Sequence, residues 1–188
     1  MSSYLDTLFS VGIGAFVAVD PDDTQTAICY CVPTADGFRI NDLAGGGTGR
    51  SGVAWGSISG ALTWLRAASA ELPPNSVAPT LVVEAQTHAG AHSESVEGCR
   101  RARWHWDAAA ELAGWGRVHV LPADWQSVFA PAGSTWRTRA GEGAGSVKRA
   151  YQLRAREIDP RATNEDRCAA LGIAWWYARS IGSALLVG

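Results

Sequence analysis

Three acidic residues stand where elements of secondary structure should begin or end, and they set the first question. The run Thr80-Leu81-Val82-Val83 leads apolar β-formers straight into Glu84. An ionised Glu at the end of a buried strand is costly unless a cation or metal ion compensates it. Asp20 closes a second apolar run, residues 11–19, and Asp166 follows Asn164, a good helix N-cap. If the strands ending at Asp20 and Glu84 are parallel neighbours, both acids emerge at one sheet edge, where open α/β sheets bind ligands. Small residues at 169, 170, 172 and 174 would let the last helix approach the sheet and bring Asp166 to the other two. Three carboxylates in an all-oxygen site favour Mg²⁺ or Mn²⁺ over zinc. Each acid also has a plainer use: Asp20 before Pro21 suits a turn, Glu84 could pair with an Arg, and Asp166 suits a helix dipole. One site accounts for all three together.

The elements that must position these acids are legible from pattern. Residues 11–19 read as a strand buried on both faces, ended by the turn signal Asp20-Pro21-Asp22-Asp23. Residues 26–32 follow as an antiparallel partner, and 37–43 as a weaker third strand after Asp36-Gly37. Val53, Ile58, Leu62 and Leu65 carry helical spacing, predicting a helix over 53–70 that Pro73 and Pro74 end. A strand–helix–strand crossover then makes 80–84 parallel to an earlier strand. A helix over 93–113, a strand over 118–121, one helical turn from Asp124, serving as its cap, to Phe129, a helix over 146–157 and a final helix from Asn164 to about Ser180 complete the order. The fold class is α/β: one domain over 1–188, a five-stranded mixed sheet, three strands antiparallel then two parallel, with helices on both faces.

With 188 residues, 47% hydrophobic and 18% charged, the chain is an ordinary globular domain. It has no apolar run long enough to span a bilayer and no basic region before its first apolar stretch, so neither a membrane nor a signal peptide is expected. Cys29, Cys31, Cys99 and Cys168 lack the paired spacing of a zinc site and suit reduced thiols in a cytoplasm, with Cys29 and Cys31 on one face of a strand. The net charge of −2 is divided. Residues 1–98 carry three Arg against ten acids, whereas residues 99–188 carry thirteen basic against eight acidic residues. A basic second half fits a polyanionic partner. The stretch Ala44 to Ser51 approximates a phosphate-binding loop, but Ala44 and Arg50 replace its first glycine and its lysine, so a plain connection is the better reading.

Ala18-Val19-Asp20-Pro21, Val82-Val83-Glu84-Ala85-Gln86, Val120-Leu121-Pro122-Ala123-Asp124-Trp125, Gly145-Ser146-Val147-Lys148 and Asp166-Arg167-Cys168-Ala169-Ala170-Leu171 occur in this order. In this ordered set, over residues 11–180, the chain resembles the RuvC-type Holliday junction resolvases of the RNase H-like superfamily, as a distant or phage-encoded member. The resemblance implies a homodimer that makes paired nicks in four-way junctions or other branched DNA, by two-metal phosphodiester hydrolysis with two Mg²⁺ ions. It carries over Asp20, Glu84 and Asp166 as ligands and Lys148 as the lysine near the scissile phosphate. Two departures stand out. The family's further acid or histidine, three residues past Asp166, is Ala169 here, which leaves Glu165 as a partial substitute about 100° round the helix. The aromatic residue the family places after the strand-four acid is also absent; Thr87 and His88 occupy that segment. His88 and His92 lie in a loop near the site, and Trp125 and Trp136 are candidates for stacking on DNA. The rival functions are another RNase H-like nuclease, acting on RNA or flaps, and a non-catalytic DNA-binding protein on the same fold.

Overall fold

The computed structural model describes residues 14–22, 26–45, 56–85, 94–129, 145–183 and 185–186, with the backbone alone at 94–96, 145–149 and 185–186. Among these residues six strands form one sheet: β1 (Phe16–Asp20), β2 (Ala27–Thr34), β3 (Gly37–Gly45), β4 (Thr80–Glu84), β5 (Gly116–Val120) and β6 (Leu185–Leu186). Their spatial order is β5-β4-β1-β2-β3-β6. β1, β2 and β3 are successively antiparallel, and β1–β4 and β4–β5 are parallel. The expected mixed sheet is thus present. β6, two residues paired parallel to Phe38 and Arg39, is an addition too short to leave a pattern in the sequence. At the β2–β3 turn Gly37 takes φ 146°, a backbone conformation open to glycine and strained for other residues.

Among the described residues there are five helices: α1 (Ile58–Ala70), α2 (Glu94–Ala113), α3 (Pro122–Phe129), α4 (Gly145–Ile158) and α5 (Glu165–Ser180). Strand alternation divides the core in two. Val17, Val19, Ile28, Tyr30, Leu81 and Val83 meet Trp64 and Leu65 of α1 and Trp106 of α2. On the opposite face, Phe16, Ala18, Cys29, Phe38 and Val82 meet Trp125 and Phe129 of α3, Tyr151 of α4 and the small-residue run of α5. Cys29 and Cys31 are buried with their Sγ atoms 3.8 Å apart, on one face as the strand reading expects. No helix among the described residues is long and apolar enough to cross a membrane.

Several boundaries differ from expectation: α1 starts at Ile58, capped by Ser57, rather than at 53, and β2 and β3 run on to Thr34 and Gly45 rather than stopping at 32 and 43. α3 begins at Pro122 rather than being capped by Asp124, because proline, with φ preset and no N–H to lose, suits the first helical position. Asp124 instead lies within the first turn. β5 starts two residues before Val118, since Gly114 at φ 73° ends α2 and the pairing with β4 begins at Gly116. Residues 1–13, 46–55, 86–93 and 130–144, with the lead-in, the glycine loop from 46 on, His88, His92 and Trp136, lie outside the described residues, while Ala44 and Gly45 of that loop belong to β3.

The turn from α4 to α5 sets where α5 starts. Asp159 is 1% exposed, receives the Arg161 guanidinium at 2.6 Å and the Arg161 backbone N–H at 2.9 Å, and so closes the turn around Pro160. Arg161 also reaches the Ile40 carbonyl on β3 at 3.5 Å, which ties the turn to the sheet. Burial would raise the Asp159 carboxyl, but the Arg161 hydrogen bonds outweigh it and hold it below its ordinary value. The stability this contributes is present above the unfolded carboxylate value and disappears as pH falls through the lowered folded one. Asp159→Asn is therefore expected to cost about 1–3 kcal/mol at neutral pH and to flatten the acid limb of stability against pH. Urea midpoints measured from pH 7 to pH 3 check both.

Candidate active site

β1 and β4 run side by side and parallel, with Val19 opposite Val83, so Asp20 and Glu84 follow at the carboxyl ends of adjacent strands. Phe16 and Ala18 on β1, and Val82 on β4, face α5. Two-residue alternation puts Asp20 and Glu84 on that same face. Glu84 is 7% exposed and Asp20 is partly buried. α5 delivers the remaining acids. The Asn164 side chain accepts a hydrogen bond from the Arg167 backbone N–H at 2.9 Å, and this cap places Glu165 and Asp166 in the first turn.

The electrostatics mark one acidic centre. Burial pushes the Asp20 carboxyl well above its ordinary value, and Glu84, Asp166, Asp22 and Glu165 push it further in that order. Glu84 is raised by burial and eased back by a hydrogen bond from Trp125, whose Nε1 lies 2.6 Å from Glu84 Oε2. Tyr151 is pushed far up by burial and then by Glu165, so its hydroxyl stays protonated and donates to the Glu165 carboxylate. The two aromatic donors touch each other edge to face, 5.7 Å between ring centroids.

The structure therefore brings Glu84, Asp166, Asp22 and Glu165 within electrostatic reach of Asp20. Lys148 falls on α4, but its side chain lies outside the described ones. Ala169 is buried in the core beneath the sheet face and offers no donor. Three residues around the centre escaped sequence reasoning. Asp22 looked like a turn former; it does accept at its carbonyl from the Thr26 hydroxyl, yet it also acts on Asp20. Tyr151 carried no motif. Trp125, a candidate for stacking on DNA, is 1% exposed and so is unavailable to a base; its polar edge is spent on Glu84.

The donor set fits a hard divalent cation. Burial and every neighbouring carboxylate push Asp20 toward its neutral form, and an ion among oxygen donors is what reverses that pressure. Among the described residues no three His, Cys, Asp or Glu side chains stand close enough together to hold a metal ion as they are placed.

No protein-family model matches the chain, and no curated protein matches it by sequence. Solved structures do match in fold. RuvC of Thermus thermophilus, in complex with a Holliday junction substrate, has a TM-score of 0.56 at 15% identity, over 92% of this chain and 99% of that one. The yeast mitochondrial Holliday junction resolvase has a TM-score of 0.52 at 9% identity, over 89% and 81%. The fowlpox virus resolvase, in complex with its substrate Holliday junction DNA, has a TM-score of 0.50 at 9% identity, over 90% and 99%. The chain shares with these resolvases one fold, a mixed sheet flanked by helices, and that is the RuvC-type resolvase fold.

Gly172 on α5 makes room for the Trp125 ring, since a Cβ there would stand 2.5 Å from Cζ3 and 2.7 Å from Cε3. A small residue expected to let α5 approach the sheet instead admits a neighbouring helix's indole. Gly172→Ala would gain up to about 1 kcal/mol in helix propensity. Overpacking against a ring wedged beside Phe129 and Tyr151 costs about 1–3 kcal/mol. The net expectation is a loss of stability, read as a lower denaturation midpoint.

Proposed function

We propose that this chain is a Mg²⁺-dependent, structure-selective DNA endonuclease that nicks four-way junctions or related branched DNA, working as a homodimer. The observation that carries the reading is the gathering of Asp20, Glu84, Asp166 and Glu165 at the carboxyl end of adjacent parallel strands. It is supported by the fold, whose solved examples include two resolvases in complex with Holliday junction DNA. Asp20, Glu84 and Asp166 would hold the metal, with Glu165 covering in part for the acid absent at Ala169. Bound there, two Mg²⁺ ions, or Mn²⁺ in their place, would supply Lewis acidity for hydrolysis of a phosphodiester to a 5′-phosphate and a 3′-hydroxyl. Lys148, on α4, is the candidate cation for the charge developing on the scissile phosphate.

Paired nicks on symmetric strands call for two copies of the site. Trp104 and Leu112 on α2, each 61% exposed and two helical turns apart, supply an apolar stripe suited to a second copy. The basic second half supplies charge for phosphate contact. A non-catalytic junction binder is the second reading, and the observation favouring it is Ala169, a buried methyl where the family has a ligand.

A synthetic four-way junction in Mg²⁺ decides between them. The wild type is expected to nick it, and Asp20→Asn or Glu84→Gln to slow cleavage by about 10²-fold or more. Equal rates in the variants would remove these residues from the site, and binding without cleavage in both Mg²⁺ and Mn²⁺ would favour the second reading. Preferential cutting of flaps or RNA would redirect the substrate class. Junction affinity should also fall steeply with salt, each phosphate contact contributing a slope of about −0.9 in log K against log salt. Titrations between low and moderate salt measure it, and a flat response would exclude an electrostatic grip.

A further inference from the structure

We propose that Trp125 is the positioning residue of Glu84, presenting its carboxylate to the acidic centre through one chosen oxygen; this rests on Glu84 being a metal ligand. The indole Nε1 donates to Oε2 at 2.6 Å, at a buried carboxylate and from a buried ring. An ionised carboxylate offers about four lone-pair positions on two oxygens. The indole takes one on Oε2 and restrains the rotation of the carboxyl plane, so that Oε1 would be the oxygen with both positions open to an ion that Asp20, on the neighbouring strand, would also hold.

The ring has little freedom to drift from this role. Gly172 provides its slot, with atoms of the indole within 2.7 Å of where a Cβ would lie. Tyr151 and Phe129 meet it at centroid distances of 5.7 Å and 6.3 Å. Three helices thus meet on one indole. The choice of donor also matters. A lysine or arginine at this place would orient Glu84 equally well but would neutralise it and compete with a cation. An indole N–H orients without adding charge, cannot accept, and does not ionise at working pH. The full negative charge of Glu84 is kept for the metal.

Outer partners of metal-binding carboxylates tune affinity by about 10–100-fold. Trp125→Phe, which keeps a ring and drops the N–H, is therefore expected to weaken Mn²⁺ binding by about that factor, measured by calorimetry on the full chain without DNA. The half-saturating metal concentration for cleavage should rise in step, with the rate at saturating metal recovering toward that of the wild type. A role in packing alone would lower the denaturation midpoint and leave the Mn²⁺ affinity of the folded protein unchanged, and that result overturns the proposal.

A metal-free measurement is independent of this one. In ¹⁵N-tryptophan spectra the Trp125 indole resonance, identified by its loss in Trp125→Phe, should move upfield in Glu84→Gln as a charged acceptor becomes neutral. If Trp125→Phe does not fold, Gly172→Ala, which displaces the ring and keeps the N–H, identifies the resonance. An indole signal indifferent to Glu84→Gln overturns the positioning role whatever the metal does. An indole signal that responds, in a wild type to which Mn²⁺ does not bind, overturns the metal-site reading and the proposal built on it.

Discussion

The structure turns on two carboxylates at the ends of neighbouring buried strands. The parallel pairing of β1 with β4 sets Asp20 beside Glu84, where burial disfavours both ionised forms and neighbouring carboxylates disfavour that of Asp20 further. Such an arrangement is costly to maintain without oriented donors or a cation. Much of the α5 side of the molecule serves to contain it. The capped start of α5 directs two further acids at the centre, and hydrogen-bond donors from α3 and α4 grip Glu84 and Glu165 from behind. Carboxylates gathered around Asp20 are poorly suited to stability and well suited to recruiting a divalent ion.

The two faces of the sheet divide the labour. The α1 and α2 face is sealed by apolar contacts among Val17, Ile28, Tyr30, Leu81, Trp64 and Trp106, with Tyr30 and Trp115 sending their polar ends to Ala68 and Ser69. That face anchors the strands and thereby the register that pairs Asp20 with Glu84. The α5 face is built of smaller residues around a few large rings, so helices approach closely and their polar edges reach the acids. Packing precision there becomes geometric precision at the site: a single methyl group at Gly172 would displace the indole that orients Glu84.

The charge division acquires a spatial meaning from this arrangement. The acidic half of the chain supplies β1 and β4, and with them Asp20 and Glu84. The basic half supplies α4 and α5, which bring Glu165 and Asp166 in, along with Arg156, Arg161 and Arg167. An acidic core for a metal and a more cationic second half for phosphates are two requirements of one reaction on a polyanion.

Much of the framework was legible in the residues alone. The extent of β4, the capping of α5 by Asn164, and the placing of Asp20, Glu84 and Asp166 at the ends of their elements follow from local pattern: apolar runs, period-two alternation and an N-cap are properties of short segments. The position of α3 was legible only in part, because a proline start competes with an aspartate cap and local propensity does not choose between them. β6 left no pattern at all. The aromatic donors were beyond reach for a different reason. Trp125 is 41 residues from Glu84 in sequence, and whether an indole near a basic loop stacks on DNA or turns inward depends on a vacant volume supplied by Gly172 on a third helix. The sequence by itself determined which acids stand at the ends of which strands and helices. Only the tertiary structure decided which neighbours hold them, because a hydrogen bond between distant segments exists only once packing has left room for it.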